Sequence, residues 1–226
     1  MARGRLIVLE GAEGVGKTTQ LRRLDEWLTS NAVPHLCLRE PGGTALGNEI
    51  RRLLLDPARH LGARAEALLF MASRAQLMEE VVLPALAAGK WVVLDRFFLS
   101  TYAYQIAGRR LPEREIQLAN ALATHETVPD LTILVRVPIR ERERRTALRG
   151  EADRIELAGD EFHDRVERAI DAFLDPSWQA AHPESGPIVG IDGTGSEDEV
   201  FDRIVAALAS QWPESFPRAS RTAQLQ

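Results

Sequence analysis

The sequence has very little cysteine and no long apolar run. Its single cysteine, Cys37, excludes a disulfide within the chain, and its five histidines include no H-x-x-x-H pair, so the sequence carries no zinc signature. The N-terminal apolar run ends at Glu10, and no stretch approaches the roughly 20 apolar residues that a membrane span needs. These absences predict a cytoplasmic protein that is neither secreted nor inserted in a membrane.

The chain also has little lysine and no excess of positive charge. Its 28 basic residues include only two lysines, Lys17 and Lys90, and its 33 acidic residues give a net charge of −5 at pH 7. This balance argues against a nucleic-acid coat, although local arginine clusters can hold an anionic nucleotide. We therefore expect a small anionic partner and no nucleic acid or membrane partner.

Residues 11–18 have the G-x-x-x-x-G-K-[ST] spacing of a phosphate-binding loop. Glycines let the backbone fold tightly enough for successive N–H groups to point at one phosphate chain. Lys17 can reach the outer phosphates, and the Thr18 hydroxyl suits a magnesium ion bound to them. The alternative is a plain glycine-rich turn. The residues predicted to bind ATP are Gly11, Ala12, Glu13, Gly14, Val15, Gly16, Lys17 and Thr18.

Short apolar runs alternate with helical periodicity along the chain. The predicted strands are 5–9, 35–39, 91–95, 131–135 and 187–191; the predicted helices include 44–55, 63–88 with a possible kink at Pro84, and 197–208. This alternation favours an α/β fold with a five-stranded parallel sheet covered by helices on both faces. The ligand site is then expected at the carboxyl ends of the strands, where Asp95 can orient the magnesium shell.

The length and composition suit one domain, which we assign to residues 1–212. Residues 213–226 are polar with little periodicity, and we predict that they form a flexible tail.

Several stretches resemble bacterial thymidylate kinase, a family that phosphorylates dTMP with ATP. They are the phosphate loop, REPGGT at 39–44, LFMASR at 69–74, DRFFLSTYAYQ at 95–105 and RGEADRIE at 149–156, and the resemblance covers about residues 5–210. It implies a P-loop nucleoside-monophosphate-kinase-like fold, dTMP kinase activity with Mg²⁺, and a homodimer. It also places Arg39 among the substrate contacts.

Five side chains after the second and third strands are candidates for binding the acceptor nucleotide. Phe70 and Arg74 lie one helical turn apart, so a base could stack on the ring while the guanidinium donates to a carbonyl oxygen. Arg96 directly follows Asp95 and could hold the acceptor's phosphate. The resemblance implies that Thr101 contacts the base and that Tyr104 lies against the 2′ carbon of the sugar. The alternative is ordinary helix packing and a solvated arginine.

Two positions in the motifs depart from the family pattern, and one carries an unusual charge. Glu13 places a carboxylate beside phosphates, which requires a metal or a hydroxyl partner; the resemblance implies the acceptor's 3′-hydroxyl. Phe97 replaces the tyrosine often found after Asp-Arg, which leaves any hydroxyl role there open. Gly14 stands where some members carry an arginine.

The segment 140–158 is rich in arginine and follows the fourth strand. Alone it would indicate a solvated helix with internal ion pairs. Its position and the break at Gly150 instead favour a mobile lid that brings positive charge to the transferring phosphoryl group. Arg145, Arg149 and Arg154 are the candidate catalytic residues of this lid, with Arg149 ranked first, beside Lys17 and Arg96.

Two other functions remain open at this point. One is a kinase for another nucleoside monophosphate or for a nucleoside. The other is a GTP-binding switch, since residues 192–195 match D-x-x-G. That match follows the fifth strand, and the chain contains no N-K-x-D sequence to bind guanine. We predict separately that residues 192–196 border the adenine.

Overall fold

The computed structural model describes residues 3–147 and 153–216. In these ranges five parallel strands form one sheet in the order β2-β3-β1-β4-β5. The strands are β1 (Leu6–Glu10), β2 (His35–Arg39), β3 (Trp91–Asp95), β4 (Leu131–Arg136) and β5 (Ile188–Asp192). The predicted fold class is confirmed, and each strand boundary lies within one residue of its predicted position.

Helices follow or connect all five strands. They are α1 (Lys17–Ser30), α2 (Ala45–Leu55), α3 (Ala63–Leu77), α4 (Leu83–Ala87), α5 (Phe98–Ser100), α6 (Glu113–Thr124), α7 (Ile139–Ala147), α8 (Asp160–Ala172), α9 (Pro176–Ala181) and α10 (Glu197–Gln211). The segments Met78–Val82 and Thr101–Gly108 are π-helical.

Alternate residues of the central strands fill two separate cores. Ile7 and Leu9 of β1 pack with residues of α1, α8 and α10, whereas Leu6 and Val8 pack with residues of α4 and the π-helix before it. Side chains of a strand alternate between its faces, so a wholly apolar strand is stable only when helices cover both sides. This packing fixes β1, and with it the phosphate loop, at the centre of the sheet.

The helical segment predicted over 63–88 is confirmed as a continuous helical run over 63–87, and the π-helical stretch inside it was not predicted. α3 ends at Leu77, a π-helical stretch follows, and α4 begins at Leu83 with Pro84 in its first turn. Proline lacks the N–H for an α-helical bond and its ring collides with the carbonyl four residues back. The wider π turn lies directly before that position.

The folded part of the chain extends beyond the predicted boundary at residue 212. Trp212 and Phe216 are both buried; the Phe216 ring centroid lies 4.4 Å from that of Trp27 and 5.4 Å from that of Trp91. These aromatic contacts fix residues 213–216, which were predicted to be part of the tail. Residues 217–226 lie outside the described residues. None of the described helices is long and apolar enough to cross a membrane.

Candidate active site

A cavity of about 580 Å³ lies at the carboxyl edge of the sheet, where the phosphate loop, the ends of β2 and β3, and the lid segment meet. The predicted site residues that line it are Glu13, Gly14, Gly16, Lys17, Thr18, Arg39, Phe70, Arg74, Asp95, Arg96, Thr101, Tyr104 and Arg145. The structure thus brings together residues predicted from widely separated stretches. Arg149 lies outside the described residues.

The phosphate loop needs glycine where it approaches other backbone. Gly11, Gly14 and Gly16 all have positive φ. A Cβ on Gly11 would lie 2.4 Å from the Val135 carbonyl oxygen, and one on Gly14 would lie 2.9 Å from the Arg142 carbonyl oxygen of α7. Glycine at position 14 therefore fits the close packing of α7, and an arginine there would require the helix to move.

Ala12 and Val15 anchor the phosphate loop to the hydrophobic core. Both side chains are buried in the core that contains Ile7 and Leu9. Any contact of these two residues with ATP would therefore be made by their backbone groups.

Lys17 lies buried under the loop at the first position of α1. Its Nζ donates to the carbonyl oxygens of Gly11 and Ala12, at 2.8 Å each. Burial, together with the Arg96 charge, lowers the pKa of Lys17 to about 7, although Asp95 and nearby glutamates oppose the shift. The amine is thus held where an incoming phosphate would restore its charge.

Thr18 and Asp95 provide oxygen atoms suited to a magnesium ion. Asp95 is buried at the end of β3, and its Oδ1 has no hydrogen-bond partner among the described residues. The Thr18 side chain is exposed at the same cavity. A carboxylate and a hydroxyl are hard oxygen ligands of the kind that Mg²⁺ prefers, so the residues present fit this ion.

Arg96 connects the phosphate loop with the acceptor side of the cavity. Its backbone has a φ of 75°, and its Nη1 donates to the Gly11 carbonyl oxygen at 3.2 Å and to Ser100 Oγ at 3.0 Å. The guanidinium also lies over the Tyr104 ring, 5.2 Å from the centroid. These contacts place a forked donor between the loop and the predicted sugar site.

Glu10 is a supporting residue that sequence reasoning missed. Its Oε1 accepts from the backbone N–H groups of Phe97, at 2.7 Å, and Ser100, at 3.1 Å, while its Oε2 accepts from Ser100 Oγ at 2.8 Å. The carboxylate therefore fixes the backbone that follows Arg96. The only signal was an acidic residue that ends a buried strand directly before Gly11.

Arg74 is buried in a hydrogen-bond network, so its interpretation as a solvated arginine is wrong. It is 3% exposed. Its acceptors are Glu40 Oε2 at 2.6 Å, Thr101 Oγ1 at 2.8 Å, Asn120 Oδ1 at 2.5 Å and the Phe97 carbonyl oxygen at 3.0 Å. A guanidinium carries five N–H groups, so these four contacts leave one on Nη2. Arg74 and Phe70 both line the cavity.

Phe97 belongs to the core and not to the cavity lining. Its ring is fully buried, 4.6 Å from the Phe98 ring and beneath the Arg74 guanidinium at 4.9 Å. The residue therefore supports Arg74 from below by packing and a cation–π contact.

Arg51 of α2 is a second residue that the sequence did not single out. It lines the cavity near Arg39, and its Nη1 donates to the Pro41 carbonyl oxygen at 2.9 Å. Burial and the charge of Arg39 lower the pKa of Arg51. Two neighbouring guanidinium groups favour an anion between them, because its charge relieves their repulsion.

The side chains of Glu13 and Glu156 both line the cavity and contact each other. Burial and a hydrogen bond with Glu13 raise the pKa of Glu156 to about 7, although the Asp153 N–H donates to Glu156 Oε2 at 2.9 Å. A shared proton between two carboxyl groups explains how they can lie together in a partly buried site. The sequence indicates Glu156 only as the last residue of the motif at 149–156.

Arg145 of α7 lines the cavity. Its Nε donates to Glu141 Oε1 at 3.0 Å, and both terminal nitrogens lie 3.4 Å from the Gly193 carbonyl oxygen. Its contact with Gly193 also brings the lid against the segment proposed to border adenine.

Arg154 lies away from the cavity lining, which argues against its predicted catalytic role. Its Nε donates to the Leu54 carbonyl oxygen and its Nη1 pairs with Glu66 Oε2, each at 2.8 Å. Glu66 is fully buried and also pairs with Arg109. Arg154 therefore fixes the end of the lid segment to α2 and α3, and a buried carboxylate without this partner would be costly.

Comparisons with known proteins agree with this geometry. A family model described as "Thymidylate kinase" matches residues 9–184. The thymidylate kinase of Cutibacterium acnes is 49% identical over 80% of this chain and 85% of its own length, and that of Carboxydothermus hydrogenoformans is 43% identical over 89% and 95%. The crystal structure of thymidylate kinase from Ehrlichia chaffeensis has a TM-score of 0.68 at 26% identity, covering 91% of this chain and 99% of that one. The chain therefore belongs to the thymidylate kinase family, whose members phosphorylate dTMP to dTDP with ATP.

Proposed function

We propose that this chain transfers the γ-phosphoryl group of ATP to dTMP within the cavity described above, using the residues that line it. The observation that carries the proposal is that one cavity joins the phosphate loop to a pocket containing Phe70 and Arg74. Arg96, which contacts Gly11 and Tyr104, lies where the two parts meet. This arrangement can align two nucleotides, and alignment with charge neutralisation is most of what phosphoryl transfer requires.

On the donor side, the loop N–H groups and Lys17 would hold the phosphates of ATP. Thr18 and Asp95 would hold Mg²⁺, Asp95 directly or through water, and the bound ion neutralises charge on the phosphate oxygens. Arg145 would add positive charge from the lid. Arg96 would contact the phosphoryl group from the acceptor side.

On the acceptor side, Phe70 would stack on thymine while the remaining N–H of Arg74 donates to a carbonyl oxygen of the base. The Thr101 hydroxyl accepts from Arg74, which leaves its own hydrogen for the base. Arg39, with Arg51, would bind the acceptor's phosphate. Glu13 would accept from the 3′-hydroxyl.

A screen of ADP release with ATP and magnesium tests the proposal. The acceptors are dTMP, dUMP, dCMP, dGMP, the ribose form of TMP, and thymidine. We expect the highest kcat/KM with dTMP, and a preference over dUMP of about tenfold or less, since one buried methyl contributes about 1 kcal/mol. A higher kcat/KM with any other acceptor would contradict the assignment.

Tyr104→Ala is expected to narrow the difference in kcat/KM between dTMP and its ribose analogue. The ring is held over Arg96 at the predicted sugar site, where its bulk would crowd a 2′-hydroxyl. Tyr104→Phe is the matched control, because it keeps the ring and should keep the selectivity. An unchanged ratio in a folded Tyr104→Ala variant would mean that the sugar lies elsewhere.

Nucleotide binding at about pH 8 is expected to take up nearly one proton at Lys17. With a pKa of about 7, the amine is mostly neutral in the nucleotide-free protein at that pH, and bound phosphates raise this pKa. Calorimetric titration with ATP in buffers of different ionisation enthalpy measures the uptake, which should decrease below about pH 6 because Lys17 is already charged. Equal uptake by Lys17→Met would assign the proton to another group.

We also propose that the chain works as a homodimer, as the family resemblance implies. The supporting observation is that the packed helices α3 and α6 expose large leucines: Leu68 is 63% exposed, Leu118 64% and Leu122 82%. Sedimentation should give twice the mass of one chain, and Leu118→Glu with Leu122→Glu should give monomers. A monomeric parent protein would refute the proposal.

A further inference from the structure

A cluster of three potential metal ligands lies apart from the active-site cavity. Asp25 belongs to α1, while His35 and Cys37 belong to β2. One ligand atom from each residue lies within 4.8 Å of the other two. His35 and Cys37 are two residues apart in a strand, so both side chains project from the same face, and here that face meets α1.

The hydrogen bonds of His35 orient its second nitrogen toward the cluster. Nδ1 lies 2.8 Å from the Val33 carbonyl oxygen, which only accepts, so Nδ1 carries the hydrogen. Nε2 lies 3.1 Å from Asp25 Oδ1. In neutral histidine this places a lone pair against a carboxylate oxygen, and a cation between the two atoms removes the repulsion. A backbone carbonyl on the other ring nitrogen is the usual support of a metal-binding histidine.

Cys37 adds a ligand that a simple histidine–carboxylate ion pair lacks. Its sulfur lies within 4.8 Å of the ligand atoms of Asp25 and His35, and a metal bound by all three would replace the thiol proton. The His35 side chain is 9% exposed and that of Asp25 is 55% exposed. The cluster thus combines a protected interior with an open side through which an ion and a water can enter.

We propose that Asp25, His35 and Cys37 bind one Zn²⁺ ion, with water as the fourth ligand. Thiolate, imidazole and carboxylate together suit zinc, whereas magnesium prefers oxygen alone. Bond lengths of roughly 2.0–2.3 Å in a tetrahedral site place ligand atoms roughly 3.3–3.8 Å apart, so the side chains need to move by only about 1 Å. His35 lies at the opposite end of β2 from Arg39, and none of the three ligand residues lines the active-site cavity.

Titration of the metal-free full-length chain with Co²⁺, and with Zn²⁺ against a chromogenic chelator, tests the site. We expect one metal per chain, a thiolate-to-cobalt charge-transfer band, and a loss of zinc affinity of at least about tenfold in each of Asp25→Asn, His35→Gln and Cys37→Ser. The matched control is His125→Gln, since His125 Nε2 lies 3.2 Å from Glu79 Oε1 in a histidine–carboxylate pair without a cysteine. This variant should bind zinc as the parent does.

Kinase activity without zinc should be unchanged in the three ligand variants, which shows that they are folded. Zinc should also raise the Tm of the parent but not of Cys37→Ser. The proposal is overturned if the parent's cobalt complex lacks the charge-transfer band, because that result needs no variant. Parent-like zinc affinity in folded Cys37→Ser would overturn it as well.

Discussion

Lys17→Met is expected to lower kcat by about 10²- to 10³-fold while the protein remains folded. Methionine has a similar volume, so the buried position stays filled. Within the described part of the chain, the hydrogen bonds of Nζ are those to the Gly11 and Ala12 carbonyl oxygens. The positive charge of Lys17 stabilises the transition state most, because negative charge moves between phosphate oxygens in that step, so its loss lowers kcat. Steady-state kinetics with saturating ATP and dTMP measure the effect.

Lys90 supplies the control, because it is the other lysine of the chain and its side chain is exposed outside the cavity. Lys90→Met should keep the parent's kcat and Tm. Parent-like turnover in Lys17→Met, with its fold confirmed by circular dichroism, would remove Lys17 from the catalytic residues.

Arg145→Ala is expected to reduce kcat by at least roughly 10²-fold, because an arginine that meets transition-state charge can contribute about 10³ to 10⁵ in phosphoryl transfer. Its guanidinium lines the cavity from α7, and the neighbouring loop position is a glycine without charge. KM for ATP and for dTMP should change less than kcat. Arg144 is the control, since it is exposed and paired with Glu141, and Arg144→Ala should resemble the parent.

We expect substitution of the other two lid arginines to have different effects, one on kcat and the other on the free energy of unfolding. Arg149, ranked first from the sequence, lies outside the described residues, and Arg149→Ala should also lower kcat by at least roughly 10²-fold. Arg154→Ala should chiefly lower the free energy of unfolding, by about 2 kcal/mol, since it removes a charged partner of buried Glu66. Parent-like kcat in the Arg145 and Arg149 variants would mean that the catalytic cation lies outside the lid.

Sequence patterns predicted an element correctly where the residues that determine it lie within that same stretch of the chain. The strand predicted at 91–95 is Trp91–Asp95 in the structure, and that at 35–39 is His35–Arg39, because apolar runs between turn residues have few alternatives. The spacing of Phe70 and Arg74 likewise placed both on the same cavity. The helix around Pro84 was also predicted, but its π turn was not, since a π turn depends on packing as well as on the proline.

The sequence did not predict the roles of residues that depend on contacts with other elements of the fold. Glu10 is linked to Ser100 across the sheet, Arg51 reaches the cavity through the packing of α2, and Arg154 is bound by Glu66. None of these pairings follows from spacing along the chain, because each joins residues from different elements. Of the two candidate lid arginines that the structure describes, Arg145 lines the cavity and Arg154 does not.

By itself the sequence determined the phosphate loop, the five strands, and the class of reaction, since glycine spacing and apolar periodicity act through local backbone geometry. Only the tertiary structure decided which charges meet. It directed Arg145 to the cavity and Arg154 to buried Glu66, and it brought Asp25 of α1 against His35 and Cys37, although the histidine spacing carried no zinc signature. Charges act through space over a few ångströms, so their partners are fixed by packing and not by order in the chain.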